Sequence, residues 1–433
     1  MAITTEEEST RELDQRFDKK YLIDSYTRVR NFSHELVEPL ETEDYVIQAM
    51  ENTSPAKWHL AHTSWFFETF ILEKALDDYE SLHPKYAYLF NSYYLQTGQP
   101  HNRSERGLIS RPTVSEVFEY REYIDQQVFG FLEDASPQDL AQWGPVVEIG
   151  INHEQQHQEL ILTDIKYLFS QNPLKPAYRN LSTNKGPSPE ELDWIQFDEG
   201  IYYVGNEGGE FTYDNEHPRH RRFLEAFAVT DRLITNGEYL QFIEDDGYNR
   251  SPLWLDDGWA TVNERDWNAP LYWEKRGGDW HNFTLGGMSK VNPDEPVTHL
   301  SYYEADAFAR WAGARLPTEG EWETIAGNLP YEGNFVDSGN YHPQALQSPQ
   351  ENGFKQVYGD VWEWTQSAYD PYPGYKPLEG ALGEYNGKFM CGQYVLRGGS
   401  CATSQSHIRK TYRNFFYPDA RWQFNGLRLA RSL

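Results

Sequence analysis

The sequence predicts a multidomain fold, with an N-terminal four-helix bundle followed by a C-terminal α+β domain rich in loops. Three observations predict it. Four long segments in the first part carry apolar residues at helical spacing. Beyond residue 193, short apolar and aromatic pieces alternate with Gly, Pro, Asn and Asp clusters up to residue 433. Between the two textures, residues 171–192 (QNPLKPAYRNLSTNKGPSPEEL) read as a connecting stretch. A length of 433 residues also exceeds what one core usually serves. The limits expected are a helical domain over 1–175, a linker over 176–193 and a second domain over 194–433.

Residues 10–37 form a polar amphipathic segment, expected to be the first helix. The second is expected to start at Ser54-Pro55, with Ser as N-cap and Pro in the first turn, and to run to about residue 77. The third starts at Thr113, where Glu116 three residues on completes a capping box. The fourth is expected after Gly144-Pro145 and covers VVEIGINHEQQHQELILTDIKYLF. Residues 80–112 make a long connection between the second and third helices, and long ordered connections are often functional. In the second domain two helical patterns stand out, Thr235 to Asp245 and Tyr303 to Gly313.

Composition excludes several classes of function. Aromatics form 15% of the chain, including 14 Trp and 30 Tyr, which argues for packed cores over disorder. With 38 basic against 67 acidic side chains the formal charge is −29, the wrong sign for nucleic acid or anionic membranes. No run of about 20 apolar residues appears, so no membrane span is expected. The start, MAITTEEESTRELDQ, lacks the basic and apolar regions of a secretory signal, so a cytoplasmic protein is expected. Cys391 and Cys401 make no disulfide framework and no CxxC pair, and are expected to be free thiols.

The sharpest chemical signal is INHEQQHQE at 151–159. His153 and His157 are four apart on an expected helix, so both rings face one side. The pattern is also H-E-x-x-H, in which Glu154 would be the base of a zinc hydrolase. Taken alone, the pair reads equally as metal ligands or as hydrogen-bonded histidines on a polar face. A bundle site needs ligands from facing helices. The second helix offers His59 and His62, three apart in the otherwise apolar WHLAHTSWFFE. Opposite a second histidine pair, a metal becomes the better reading.

The runs WHLAHTSWFFE, FNSYYLQTGQPHNRSERGLISRPT and NHEQQHQELILTDIKYLF resemble the helical, DinB-like domain of the sulfoxide synthases of ergothioneine biosynthesis. The second half is similar to formylglycine-generating enzymes, with a C-type-lectin-like core. It carries 214–243 (DNEHPRHRRFLEAFAVTDRLITNGEYLQFI), RLPTEGEWE at 315–323, GDVWEWT at 359–365, LRGGS at 396–400 and GLRLAR at 426–431. Formylglycine-generating enzymes use two thiols five apart. Here Cys391 and Cys401 are ten apart, so that thiol chemistry is not expected.

The resemblance implies Fe(II) held by His62, His153 and His157, with His59 outside the ligand set and Glu154 a supporting or surface residue. It implies dioxygen-dependent joining of cysteine or γ-glutamylcysteine to N-α-trimethylhistidine (hercynine), leaving a sulfoxide. The paired tyrosines of NSYY lean the donor towards cysteine. Tyr93 and Tyr94 become candidate catalytic residues, with Tyr369 the competing candidate from the second domain. Arg103 and Arg106 would clamp the donor's carboxylate with forked hydrogen bonds. Gln156, Asn414, Phe415 and Phe416 would contact hercynine, the aromatic faces suiting its fixed cation. Two rival functions stand beside this, a zinc metallohydrolase and a lectin-like binding protein without catalysis.

Overall fold

The computed structural model describes residues 17–181, 188–189, 191–346 and 353–433. Two compact units form. Of the described residues, those up to 168 and the short segments 209–211 and 379–385 make the first; those within 169–208, 212–378 and 386–433 make the second.

The first unit is built on α1 (Lys19–Val37), α2 (Ala56–Phe67), α3 (Val114–Asp134) and α4 (Pro137–Gln171). The part of the first expected helix that falls on 10–16 lies outside the described residues. Every residue of α2 is buried, and so is the π-helical turn Glu68–Leu72 that continues it. A helix buried all round sits at the centre of its bundle, and its polar side chains must find partners there. α3 starts where expected, with the Thr113–Glu116 capping box.

Two helix starts differ from expectation. Pro55, not Ser54, occupies the cap position of α2, with no side-chain cap bond. Ser54 is engaged elsewhere: its N–H donates to Asp164 and its hydroxyl accepts from Arg106. α4 begins before Gly144-Pro145 and runs through it. Its start is set by Ser136, whose N–H and hydroxyl donate to the Asp139 carboxylate at 2.9 and 2.6 Å. The bond lost to Pro145 costs about 3 kcal/mol, which the buried face of so long a helix outweighs.

Among the described residues, the second unit contains four small sheets. β1 (Trp194–Phe197), β4 (Phe227–Thr230) and β12 (Ala430–Ser432) form one, in the order β1-β4-β12. β8 (Trp362–Ala368), β9 (Tyr394–Arg397), β10 (Asn414–Phe416) and β11 (Asn425–Gly426) form a second, ordered β10-β9-β8-β11. β2 (Gly200–Val204) pairs with β3 (His220–Leu224), and β5 (Trp273–Arg276), β6 (Asp279–Thr284) and β7 (Gly287–Lys290) complete the set. Both expected helices appear, as α5 (Asn236–Glu244) and α7 (Tyr302–Trp311). α6 (Asp256–Glu264) and α8 (Glu319–Ala326) were not expected; each is about two turns long and holds a glycine.

The sequence motifs of this unit explain one another. Arg397 of LRGGS pairs with Glu319 and Glu323 of RLPTEGEWE at 2.8 and 3.0 Å. Arg428 of GLRLAR pairs with Glu363 of GDVWEWT at 2.6 Å. All are buried beside Trp322, Trp362 and Trp364, so the motifs are a core of paired charges and indoles. Gly398 has φ +99°, and a Cβ there would lie 2.7 Å from the Val357 carbonyl oxygen, so LRGGS needs glycine at this position. Cys401 is buried and Cys391 exposed, and neither is in a disulfide. No helix among the described residues is long and apolar enough to cross a membrane.

Candidate metal centre

Two helices of the first unit bring three imidazoles together. His62 projects from α2 and His153 and His157 from α4, one turn apart on one face. One ring nitrogen from each lies within 4.8 Å of the others, and all three residues are buried. Among the described residues this is the sole cluster of His, Cys, Asp and Glu able to hold a metal.

The ring nitrogens can be assigned. His62 Nδ1 lies 2.5 Å from the Phe90 carbonyl oxygen, which only accepts, so Nδ1 carries the hydrogen and Nε2 the lone pair. That Nε2 is 3.3 Å from His153 Nε2. His157 Nδ1 is occupied by His59 Nδ1 at 2.8 Å, which leaves its Nε2 for the cluster. His153 Nδ1 is buried without a partner. Burial, the largest cause at each ring, pushes all three pKa values down, that of His153 to about 4. The rings are thus held neutral, the form that ligates. Trp58 and Trp65 stack with His62 at interplanar angles of 12° and 16° and fix its orientation. A buried set of neutral imidazoles, with the His62 and His157 lone pairs turned to the cluster and a His153 ring nitrogen beside them, fits a transition metal of the iron-to-zinc range.

Glu154 is not at this centre, and it is not a surface residue. Its carboxylate accepts from Arg121 at 2.6 Å, Arg30 at 3.0 Å and Ser33 at 2.6 Å. Burial alone would raise its pKa, but Arg121, Arg30 and these hydrogen bonds bring it down to about 2. A carboxylate so engaged is not a proton-accepting base, which removes the basis of the zinc-hydrolase reading.

The 80–112 connection meets the cluster at Phe90, whose carbonyl accepts from His62. Buried Asn91 ties its turn, its amide donating to the Tyr94 and Gly98 carbonyls and its Oδ1 accepting from the Tyr94 N–H. Tyr94 is buried against Phe70 and Trp65, with centroids at 5.1 and 5.8 Å. Tyr93 is half-buried, and its ring lies 4.8 Å from that of Tyr94. Burial pushes the Tyr94 pKa up, so its phenol keeps its proton.

The two arginines part company. Arg103 is exposed and donates to the Asn52 carbonyl. Arg106 is buried, with its guanidinium 3.3 Å from the Trp58 ring centroid on a stack that continues to His62. It donates to the neutral hydroxyls of Ser54 and Ser92 at 2.9 and 3.0 Å, and its Nε has no partner. Gln156, half-buried beside His157, bonds the Tyr385 hydroxyl, whose pKa burial pushes up to about 12. Tyr385 also stacks on Tyr93 at 5.5 Å. Sequence reasoning missed Tyr385 because it lies on a loop far along the chain, without periodicity. It also missed Asp164, which bonds His59 Nε2 at 3.0 Å. A signal for that acid existed, since it stands two helical turns after His157.

Asn414, Phe415 and Phe416 form β10 of the second unit and are half-buried. Phe415 stacks on Tyr369 at 4.1 Å and on Phe389 at 5.8 Å. The Tyr369 hydroxyl accepts from Asn215 at 2.8 Å, and the Arg413 guanidinium lies 5.0 Å from its ring.

A helical bundle with a buried histidine triad, joined to a loop-rich sheet domain, defines a metal-dependent enzyme class, and comparison with known proteins agrees. The DinB superfamily matches residues 25–161, and the sulfatase-modifying factor enzyme 1-like domain family matches residues 186–433. Hercynine oxygenase of Mycobacterium tuberculosis is 33% identical, over 65% of this chain and 70% of its own. That of Mycolicibacterium smegmatis is 30% identical, over 87% of this chain and 91% of its own. Ergothioneine biosynthesis protein 1 of Schizosaccharomyces pombe is 27% identical, over 60% of this chain and 31% of its own. The chain belongs to the hercynine oxygenase family, and is an oxygenase.

Proposed function

We propose that His62, His153 and His157 hold one ferrous ion, and that the enzyme uses dioxygen to join the sulfur of cysteine or γ-glutamylcysteine to the imidazole carbon of hercynine, leaving a sulfoxide in ergothioneine biosynthesis. The observation that carries this is the convergence of three buried, neutral imidazole nitrogens from two helices within 4.8 Å. Bound ferrous iron would supply dioxygen activation and a seat for the donor's thiolate.

The chain's own residues do the rest. Arg106 is a buried cation with only neutral hydroxyl partners and a spare Nε–H, so it suits the carboxylate of the sulfur donor. Tyr94, with the Tyr93 ring against it, holds a phenolic proton in an apolar surround beside Trp65, and we assign proton donation to this pair. Gln156, Asn414 and the aromatic residues Phe415 and Phe416 are our candidates for hercynine, whose trimethylammonium favours ring faces. We place the enzyme in the cytoplasm, with small molecules and no nucleic acid as partners. We retain 1–175, 176–193 and 194–433 as its domain limits.

The test is anaerobic loading with Fe(II), then mixing with hercynine and either sulfur donor, then air. A sulfoxide product from one donor supports the reading and names the donor. Failure of Fe(II)-loaded protein to consume dioxygen with either donor overturns it.

A further inference from the structure

We propose that His59 and Asp164 are positioning residues that fix His157 as an Nε2 metal ligand. The inference rests on the metal-centre reading above and adds two residues to it. It begins from an oddity of the second helix: His59 is as buried as His62 but stands outside the ligand cluster.

The hydrogen-bond chain has only one consistent direction for neutral rings. Asp164 Oδ2 lies 3.0 Å from His59 Nε2, and a carboxylate only accepts, so His59 carries its hydrogen on Nε2. The lone pair of His59 is then on Nδ1. That Nδ1 lies 2.8 Å from His157 Nδ1, which must therefore be the donor. His157 is left with its lone pair on Nε2. One carboxylate thus sets the tautomer of two rings in series. Asp164 is itself held by the Ser54 N–H, which donates to the same Oδ2 at 2.8 Å.

The three ligands are supported unequally. His62 is fixed by a backbone carbonyl, His157 by the His59–Asp164 chain, and His153 Nδ1 has no partner. Outer partners of ligating histidines orient the ring and raise its basicity. The chain is also tied to the Arg106 site, because the Ser54 whose N–H holds Asp164 takes its hydroxyl bond from Arg106.

The experiment is an Fe(II) affinity measurement under nitrogen, by competition with a chromophoric chelator, on the full chain. His59→Phe and Asp164→Ala should each weaken Fe(II) binding about 10- to 100-fold. The double variant should be no weaker than the worse single, because both act through one chain. His59→Gln should recover most of the affinity, since its amide can accept from His157 and donate to Asp164 together. Should His59→Phe not fold, Asp164→Ala carries the test. Wild-type affinity in Asp164→Ala, or His59→Gln no better than His59→Phe, overturns the inference. His62→Ala is the separate control. If it keeps wild-type affinity the metal-centre reading itself fails, and if it loses binding while Asp164→Ala does not, only this inference does.

Discussion

Arg121 Nη2 and Glu154 Oε1 meet at 2.6 Å with both side chains essentially inaccessible to water. Arg30 binds the other oxygen at 3.0 Å, and reaches Ser64 of α2 as well. Arg121 in turn donates to Thr63 of α2 at 3.0 Å. The Glu154 carboxylate, between His153 and His157 of α4, therefore joins all four helices through these two arginines. Removing one partner of a buried ion pair leaves an uncompensated charge, at a cost of about 3–5 kcal/mol. Arg121→Met is expected to lose stability on that scale in urea unfolding. A loss below about 1 kcal/mol would show that the network does not hold the bundle.

The same carboxylate gives a pH dependence. Its pKa is depressed from 4.5 to about 2, so its contribution is fully present above 4.5 and is lost as pH falls towards 2. Stability should drop by about 3 kcal/mol across that window on its account. Comparing the acid limbs of wild type and Glu154→Gln checks this. The variant should start less stable and fall less steeply between pH 4.5 and 2.

Much of this site could be read from residue spacing. The i, i+4 pair His153 and His157, and the histidines of WHLAHTSWFFE, point to facing helices without any structure. Glu154 was visible too, but spacing says only that it lies on α4, not that two arginines from other helices would claim it. Those arginines sit in α1 and α3 with nothing local to single them out. Pro145 misled for a related reason, since a breaker reads as a boundary unless the buried face on both sides is known. α6 and α8 are too short for periodicity to register. Tyr385 depends on a chain path that no local rule predicts.

Metal content should follow the three rings closely. His62→Ala removes a nitrogen that no neighbouring side chain replaces, and is expected to lose iron on gel filtration after loading. His153→Ala should do the same. Full retention of iron in either would mean that the cluster is a hydrogen-bonded core and not a ligand set.

The tyrosines can be separated by single-atom changes. Removing a proton donor typically costs about 10²–10⁴-fold in rate. Tyr94→Phe should lower sulfoxide formation by at least about 10²-fold with iron binding intact, and Tyr93→Phe should act in the same direction. Tyr369→Phe should retain turnover, because that hydroxyl already accepts from Asn215 and its ring is packed on Phe415 beside Arg413. The reverse pattern would move the proton donor to the second unit.

Arg106 offers the sharpest test of substrate binding, because its surroundings are incomplete without an anion. Among the described residues no carboxylate pairs with it, and burial disfavours its charge. The guanidinium nonetheless stays protonated in proteins, so a docking carboxylate would recover interaction lost on burial. Arg106→Met preserves the stem that lies along Trp58 while removing the charge. It should raise the KM for the sulfur donor by about 10- to 100-fold, the range of a lost charged hydrogen bond, and leave the KM for hercynine nearly unchanged. Arg103→Met should have a smaller effect, about threefold or less, since water screens an exposed charge. A KM rise for hercynine instead would reassign Arg106 to the other substrate, and no change in either would make it a structural prop for Trp58.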